Sequence, residues 1–233
     1  MGAGLEMTRK KTACLVGLLG LLAGCGNDQT AQESLSRLPK GKALGAMVTA
    51  IFVKPQPFRA DPAAVATVRG ALEKAGQPVL LVTVPSRGAD LFAPYGQNGP
   101  VITWATSAQQ SIALDDGLLV ATRGFGPDLM SASVPSLAQV SRATGTSHRD
   151  YYDLDGADQN RHFAYDCTFA PAGMEAVEVF GATYPTRKVT ESCAGPDASF
   201  VNIYWFDADG RLRQSDQHAT PGLPTVQIGR VVD

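Results

Sequence analysis

Histidine, cysteine and charge are all scarce in this chain of 233 residues. It has 3 His and 4 Cys, and charged residues make up only 18% of it. The formal net charge is −2, and no cluster of Lys and Arg interleaved with aromatic residues occurs, so nucleic-acid binding is not expected. The histidines, His148, His162 and His218, lack the i,i+4 or other short spacing of metal ligands, so no metal ion and no cofactor are expected.

The motifs of common catalytic sites are missing as well. No Gly-x-Ser-x-Gly elbow is present, and the two glycines within residues 121–130 are not followed by the Gly-Lys-Ser/Thr ending of a phosphate loop. Residues 152–158 resemble a calcium loop superficially, but their Gly follows the second acid directly and no Glu stands at the twelfth position. We therefore expect a polar turn there.

Long apolar runs are also absent, and the N-terminus instead has the three parts of an export signal. A basic segment at residues 9–11 precedes an apolar run at 12–23, which is shorter than the roughly 20 residues that a membrane-spanning helix needs. Residues 22–25 read Leu-Ala-Gly-Cys, which is the lipobox pattern of bacterial lipoproteins. The alternative, a buried core helix, would need a polar face and a cap. We predict a signal sequence at residues 1–24 and a lipid-modified Cys25.

The lipid would anchor the mature protein to a membrane without spanning it, because two or three acyl chains hold a protein stably where one does not. Residues 25–42 are small and polar and are expected to form a lipidated flexible tether, while residues 43–233 form a single β-rich domain. Gly26 follows the lipobox cysteine, which favours the outer membrane of a Gram-negative bacterium, with the domain facing the periplasm.

Two cysteines survive this processing. Cys14 leaves with the signal and Cys25 carries the lipid, so Cys167 and Cys193 remain as a lone pair in an oxidising compartment. A disulfide between them would close a loop of about 27 residues and contribute roughly 3 to 4 kcal/mol in the chain-entropy model. A catalytic thiol or a zinc site would need CxxC spacing or nearby histidines.

Periodicity and turn residues predict a mainly β fold. Asp61-Pro62 begins an amphipathic helix that Gly76 ends. Turns are expected at residues 115–117 and 207–210. Strands are predicted at residues 79–84, 101–104, 111–114, 118–122, 162–169, 176–180, 182–193, 200–206, 212–218 and 225–231. We expect an antiparallel open barrel or sandwich with one or two short helices.

Two segments are candidates for recognition. In the glycine-rich segment 121–130, Arg123 and Asp128 either pair or cap the chain, or they belong to an exposed recognition loop. The aromatic strand at 202–206 precedes an amide-rich strand at 213–217, and its Trp205 either packs in the core or contacts a glycan.

The recognition hypothesis places Arg123, Asp128, Trp205 and Gln217 on or near one surface. A glycine-rich loop exposes backbone, Arg offers a planar fork of donors, and an aromatic ring beside amides suits either a sugar or a protein interface. The expected ligand is a protein partner or a glycan segment.

The chain resembles the YjbF/GfcB family of lipoproteins from exopolysaccharide and group 4 capsule loci. The resemblance lies in the lipobox at Cys25, the segment 118–131, Cys167 with the Glu-Ser-Cys of 191–193, and the segments 202–205 and 214–217. It implies a mostly β, lipid-anchored protein without established catalytic residues. Members are encoded beside outer-membrane and periplasmic polysaccharide-secretion components.

From this resemblance we expect a non-enzymatic outer-membrane lipoprotein that assists assembly or secretion of an extracellular polysaccharide. Its partners would be the membrane, through the lipid, and outer-membrane or periplasmic secretion proteins. One alternative is a periplasmic glycan-modifying enzyme with a cleft built from Asp128, Glu191 and Asp216. A structural lipoprotein without a ligand is the other.

Overall fold

The computed structural model describes residues 61–154, 157, 159–196 and 198–233. Two helices and twelve strands are present in these residues: α1 (Pro62–Ala75), β1 (Val79–Val84), β2 (Gly88–Asn98), β3 (Val101–Ala105), β4 (Ser111–Asp115), β5 (Leu118–Arg123), β6 (Leu129–Ser133), α2 (Leu137–Arg142), β7 (Thr146–Leu154), β8 (Asn160–Val179), β9 (Ala182–Ala194), β10 (Ser199–Phe206), β11 (Leu212–Gln217) and β12 (Val226–Val232). The predicted signal sequence, Cys25 and the tether lie outside the described residues.

All twelve strands form one antiparallel sheet that curls into a nearly closed barrel. Strands β1 to β5 form one meander and β6 to β12 another, and pairing of β1 with β12 joins the two. The strands at the two ends of the sheet, β5 and β6, then lie side by side along a seam. The predicted fold class, a mainly β antiparallel open barrel or sandwich with one or two short helices, is confirmed, and the structure has the barrel form.

Helix α1 begins and ends where the sequence predicts. The Asp61 side chain accepts a hydrogen bond from the first turn, and Gly76 ends the helix with φ of +62°. Val65, Val68 and Leu72 are buried on one face of α1, which packs on the outer surface of the barrel rather than inside it.

The far end of the β8–β9 hairpin folds back over that outer surface. At its tip, a Cβ on Gly181 would lie 2.9 Å from a Val65 methyl group, so only glycine allows this close contact with α1. Arg69 of α1 donates hydrogen bonds to the backbone oxygens of Val179, Phe180 and Val231, which ties the hairpin tip to α1 and β12.

Three strands and the second helix are additional to the sequence prediction. Strand β2 contains Pro94 and Gly96 at an irregularity in its pairing with β3, and these residues interrupt the expected alternation. Strand β6 begins at Leu129, within the segment 121–130 that the recognition hypothesis treated as a loop. Strand β7 buries Arg149 and Asp153, so its inward face does not look apolar. Helix α2 has a capping box formed by Ser136 and Gln139, a short signal that the sequence does contain.

In the part of the chain that the structure describes, none of the helices is both long enough and apolar enough to cross a membrane.

Candidate functional site

Arg123 and Asp128 lie at the seam of the barrel, where β5 ends and β6 begins. The Arg123 guanidinium donates to the backbone oxygens of Thr122, Leu129 and Met130 at 2.6, 2.9 and 3.1 Å. The arginine therefore supplies hydrogen bonds between two strands that have no backbone ladder to each other.

The Asp128 carboxylate organises the loop between these strands. It accepts hydrogen bonds from the Gly124 and Phe125 backbone N–H groups and from the Thr122 hydroxyl, at 2.9, 3.1 and 2.8 Å. Gly124 has φ of +84°, and a Cβ there would lie 2.9 Å from the Gln109 backbone oxygen, so the loop requires glycine. We call Arg123 and Asp128 together the loop clasp. Its contacts agree with the capping interpretation of this segment.

A small pocket lies beside the loop clasp at the same end of the barrel. It has a volume of about 130 Å³, and we call it the rim pocket. Its lining is Val82, Val84, Arg87, Gly88, Ala89, Asp90, Phe92, Gln110 and Phe125. Phe92 and Phe125 form its buried floor, while Arg87, Asp90 and Gln110 place two donors and an acceptor at its edge. Burial raises the pKa of Asp90. No sequence motif marks these three polar residues, because they come from separate turns and strands.

Trp205 lies on the outer face of β10, under the folded-back hairpin. Its indole Nε1 donates to Glu175 Oε2 at 3.0 Å, and the Lys188 ammonium lies 5.5 Å from the ring centroid. Hydrogen bonds from Trp205 and Lys188 lower the pKa of Glu175. Trp205 is only 6% exposed, so the structure agrees with the core-packing interpretation of this residue.

Gln217 lies inside the barrel and spans it from β11 to β5. Its amide oxygen accepts from the Leu119 backbone N–H, and its amide nitrogen donates to the Gly117 backbone oxygen, both at 2.9 Å. At 1% exposure, it is a cross-link of the interior.

The four residues of the recognition hypothesis do not share one surface. Trp205 pairs with Gln214 across β10 and β11, whereas Tyr204 pairs with Ser215. Side chains alternate between faces along a strand, so Gln217 points to the face opposite Trp205. Arg123 and Asp128 adjoin one another, but Trp205 and Gln217 lie elsewhere and are buried. The predicted shared surface was wrong, because sequence proximity of a hairpin does not reveal which face each residue takes.

A buried polar cluster that sequence reasoning missed fills part of the barrel. Arg149 of β7 forms two hydrogen bonds of 2.8 Å to the Glu191 carboxylate of β9. The Tyr204 hydroxyl and the Asn202 amide of β10 donate to Glu191 Oε2 at 2.8 and 2.9 Å. Arg149 and Glu191 are 1% and 0% exposed. We call these four residues the interior cluster.

The electrostatics of the interior cluster keep Glu191 ionised. Burial alone would raise the pKa of Glu191, but the Arg149 charge and the hydrogen bonds from Arg149, Asn202 and Tyr204 outweigh it and hold the pKa below its usual range. Burial also raises the pKa of Tyr204 well above its usual value, so this hydroxyl remains a donor. The cluster is a satisfied ionic network without an open position for a substrate.

The three carboxylates of the alternative enzyme hypothesis do not converge either. Glu191 faces inward beside Asn202, whereas Asp216 pairs with Ile203 and faces outward. Asp216 accepts a hydrogen bond from Gln227, and burial raises the pKa of Asp216. Asp128 belongs to the loop clasp. A catalytic pair needs two carboxylates across one cleft, which this arrangement does not provide.

The structure contains the disulfide between Cys167 and Cys193, which stand directly opposite each other on β8 and β9. Both sulfurs and the Glu191 carboxylate lie within 4.8 Å of one another. Because the sulfurs are bonded to each other, they are not available as thiolate ligands, and this group is a cross-link beside the interior cluster.

A family model described as "Group 4 capsule polysaccharide lipoprotein gfcB, YjbF" matches residues 45–231. The chain belongs to this family.

One relative is the uncharacterized lipoprotein YjbF of Escherichia coli (strain K12), which is 28% identical to this chain over 131 residues. The match covers 54% of this chain, which spans 60% of the length of that relative. The crystal structure of the hypothetical lipoprotein YmcC from Escherichia coli (K12) has a TM-score of 0.64 at 16% identity, covering 77% of this chain and 98% of that one. At this identity the likeness shows the shared fold alone.

The family description and the name of the YjbF relative support a membrane-anchored lipoprotein. The family description is consistent with a role connected to capsular polysaccharide.

Proposed function

We propose that this protein is an outer-membrane lipoprotein, anchored through Cys25 and facing the periplasm, that assists assembly or secretion of an extracellular or capsular polysaccharide without catalysing a reaction. The observation that carries the proposal is the match of residues 45–231 to a family described as group 4 capsule polysaccharide lipoproteins. Its partners are proteins of the secretion machinery, with a glycan segment as a further ligand.

The arrangement of charged groups favours a non-enzymatic role. In the described residues, the carboxylates Asp128, Glu191 and Asp216 are each held by hydrogen bonds in a different part of the molecule. Glu191 is enclosed completely, so a substrate would have to break the interior cluster to reach it. Such a network supports a rigid scaffold better than a reactive site.

The rim pocket is the surface at which we place contact with a polysaccharide segment or a partner. Arg87 stands on the exposed turn between β1 and β2, and its guanidinium lies against Gly126 of the loop held by the clasp. Together with Asp90 and Gln110, it offers the donors and acceptors that hydroxyl-rich ligands need, beside an apolar floor. A rigid loop behind Arg87 lowers the entropic cost of such binding.

Complementation of a deletion strain tests the role in export. Wild-type protein should restore extracellular polysaccharide, whereas Arg87→Ala combined with Gln110→Ala should reduce export several-fold at unchanged protein abundance. Arg142→Ala is the matched control, because this exposed arginine ends α2 at the opposite end of the barrel. Normal export in the deletion strain would refute the proposed function, while normal export with the double variant would refute only the place of contact.

The anchor is tested by labelling with a palmitate analogue. Cys25→Ala should lose the label and remain unanchored or uncleaved, because thioether attachment needs the thiol. Cys14→Ala is the control, since it removes a thiol from the predicted signal sequence and should leave labelling intact. Label retained by Cys25→Ala would exclude this anchor.

A further inference from the structure

The turn between β11 and β12, residues 218–225, folds inward at the end of the barrel that carries the loop clasp. Its Ala219 and Leu223 side chains are 0% and 1% exposed and belong to the apolar cluster of the barrel interior. The Thr220 hydroxyl donates to the Pro127 backbone oxygen at 2.9 Å. The β11–β12 turn therefore packs against the loop between β5 and β6.

His218 fastens this turn to the barrel. Its backbone N–H donates to the Asn202 amide oxygen of β10 at 2.8 Å, and its ring Nδ1 lies 3.0 Å from the Pro224 backbone oxygen near the other end of the turn. A carbonyl oxygen only accepts, so Nδ1 carries the proton of the neutral ring. The ring also stacks on Phe200, with centroids 4.2 Å apart and 15° between planes. One imidazole thus closes the turn and packs it on β10.

The other ring nitrogen of His218, Nε2, is buried and has no hydrogen-bond partner among the described residues. His218 as a whole is only 9% exposed. In the neutral ring Nε2 carries a lone pair, whereas protonation would turn it into a charged donor without an acceptor. Burial of an unpaired charge costs far more than burial of a neutral acceptor. The position therefore suits the neutral ring and opposes the imidazolium.

Most groups that face this imidazole carry no charge to compensate a proton on it. The rings of Tyr151 of β7 and Tyr165 of β8 have centroids 6.0 and 6.5 Å from that of the imidazole. Tyrosines are neutral between pH 5 and pH 7.5. Phe200 and Asn202 of β10 are uncharged, and Asp216 of β11 faces outward. No carboxylate of these elements is thus placed to pair with the protonated ring.

The Arg149 guanidinium of β7 acts on the imidazole as a like charge, and Glu191 is already bound to this arginine. Burial is the largest cause that lowers the pKa of His218; the hydrogen bond to Pro224 opposes it, and the Arg149 charge lowers the pKa further. An opened turn therefore binds the proton first as the pH falls through about 6.5, the ordinary value of histidine. The stability that His218 gives the closed turn is complete above that pH and declines below it.

We propose that His218 is a pH-sensitive switch, which holds the β11–β12 turn closed while its ring is neutral and releases the turn when the ring takes up a proton. Release lets Nε2 reach solvent and separates Thr220 from Pro127, so the loop organised by Asp128 loses the support of the turn. Phe125 of the same loop forms part of the floor of the rim pocket, and the change in pH thereby reaches that pocket. The inference does not depend on the proposed function.

Hydrogen exchange of the full chain at pH 7.5 and pH 5.0, corrected for the intrinsic chemical rates, tests the switch. The backbone amides of His218, Thr220 and Leu223 are hydrogen-bonded in the closed turn. We expect them to exchange at least about threefold faster at pH 5.0, because the opened turn is protonated first. Amides of β8 and β9 should keep their protection. Equal protection of the turn at both pH values, or an equal loss throughout the sheet, would overturn the proposal.

His218→Phe separates protonation from packing, because it keeps a flat ring against Phe200 but takes up no proton. Exchange of the turn amides should then no longer differ between the two pH values, and a persistent difference would contradict the switch. His148→Gln is the matched control. It removes an exposed imidazole whose pKa is raised by its hydrogen bond to Asp166, so the pH dependence of the turn should remain.

NMR titration of the wild-type imidazole needs no variant and stands even where His218→Phe does not fold. The His218 ring should remain neutral at pH 6.0 in molecules whose turn amides are still protected. A ring that is fully charged at that pH while the turn stays protected would overturn the proposal.

Discussion

The interior cluster and the loop clasp both depend on an arginine and a carboxylate, yet they hold the barrel in different ways. In the interior cluster, Arg149 and Glu191 bind each other through two hydrogen bonds and are almost fully buried. In the loop clasp, Arg123 and Asp128 bind mainly backbone groups of their own seam, and Arg123 is exposed.

This difference shows that environment, rather than residue type, decides what a charged side chain contributes. A buried ion carries a large desolvation cost, so loss of one partner leaves an uncompensated charge. When an exposed arginine that donates to carbonyl oxygens is removed, water replaces part of its hydrogen bonds. The interior cluster should therefore be sensitive to single substitutions and the clasp more tolerant.

The largest effect is expected for Arg149→Met. The substitution leaves the Glu191 carboxylate buried without its counter-ion, which should lower the free energy of unfolding by about 3 to 5 kcal/mol. Chemical denaturation with urea measures the change. Combining it with Glu191→Met should restore part of the loss, because no unpaired charge remains. A double variant as unstable as the single one would mean that packing, not charge, dominates the cluster.

The disulfide beside the interior cluster should contribute nearly as much. Cys167→Ala combined with Cys193→Ala is expected to lower the free energy of unfolding by roughly 3 kcal/mol, because the 26-residue separation of the cysteines constrains the unfolded chain. Urea denaturation measures it, and mass mapping without reductant should show one linked peptide pair. Two alkylatable thiols in protein taken from the periplasm would contradict the pairing.

The loop clasp should give intermediate effects. Asp128→Ala removes the acceptor of two backbone N–H groups and one hydroxyl, and should lower the free energy of unfolding by about 2 kcal/mol. Arg123→Met should cost about 1 kcal/mol, because its carbonyl partners can bind water. Thermal unfolding of both variants beside Arg149→Met provides the measurement. A loss with Arg123→Met equal to that of Arg149→Met would remove the distinction between the two regions.

The smallest expected effect is a pH dependence that belongs to the interior cluster. The pKa of Glu191 is held below its usual value in the folded chain, so the unfolded chain binds a proton there first as the pH falls. This stability is present above about pH 4.5, the usual range of Glu, and is lost as the pH falls through the folded-state pKa. Melting temperatures from pH 6 to pH 3 should fall less steeply for Glu191→Gln than for wild type. Asp209→Asn, an exposed carboxylate, should keep the wild-type slope.

Much of the fold follows from local patterns. Asp61, Pro62 and Gly76 determine α1, and glycine-containing turns separate most of the predicted strands. Strand β7 escaped prediction because two of its three buried residues, Arg149 and Asp153, are charged and only Tyr151 is aromatic. A hydrophobic pattern does not reveal a strand whose buried face consists largely of hydrogen-bonded charged residues.

The candidate sites depended much less on local pattern. The glycine-rich segment was recognised as either capping or exposed, and its capping contacts are visible only in the folded loop. The rim pocket draws Arg87 from the β1–β2 turn, Asp90 from β2 and Gln110 from the segment before β4, and no sequence motif marks them as one site.

The sequence by itself determined the lipobox pattern, the pairing expected of two remaining cysteines, the first helix and most strands, because each depends on residues close together or few in number. Only the tertiary structure decided that Trp205 and Gln217 face opposite sides, that Arg149 meets Glu191, and that β5 meets β6 at a seam held by Arg123. The physical reason is that strand register and barrel closure are set by the whole sheet. A shift of one residue would send every side chain of a strand to the other face.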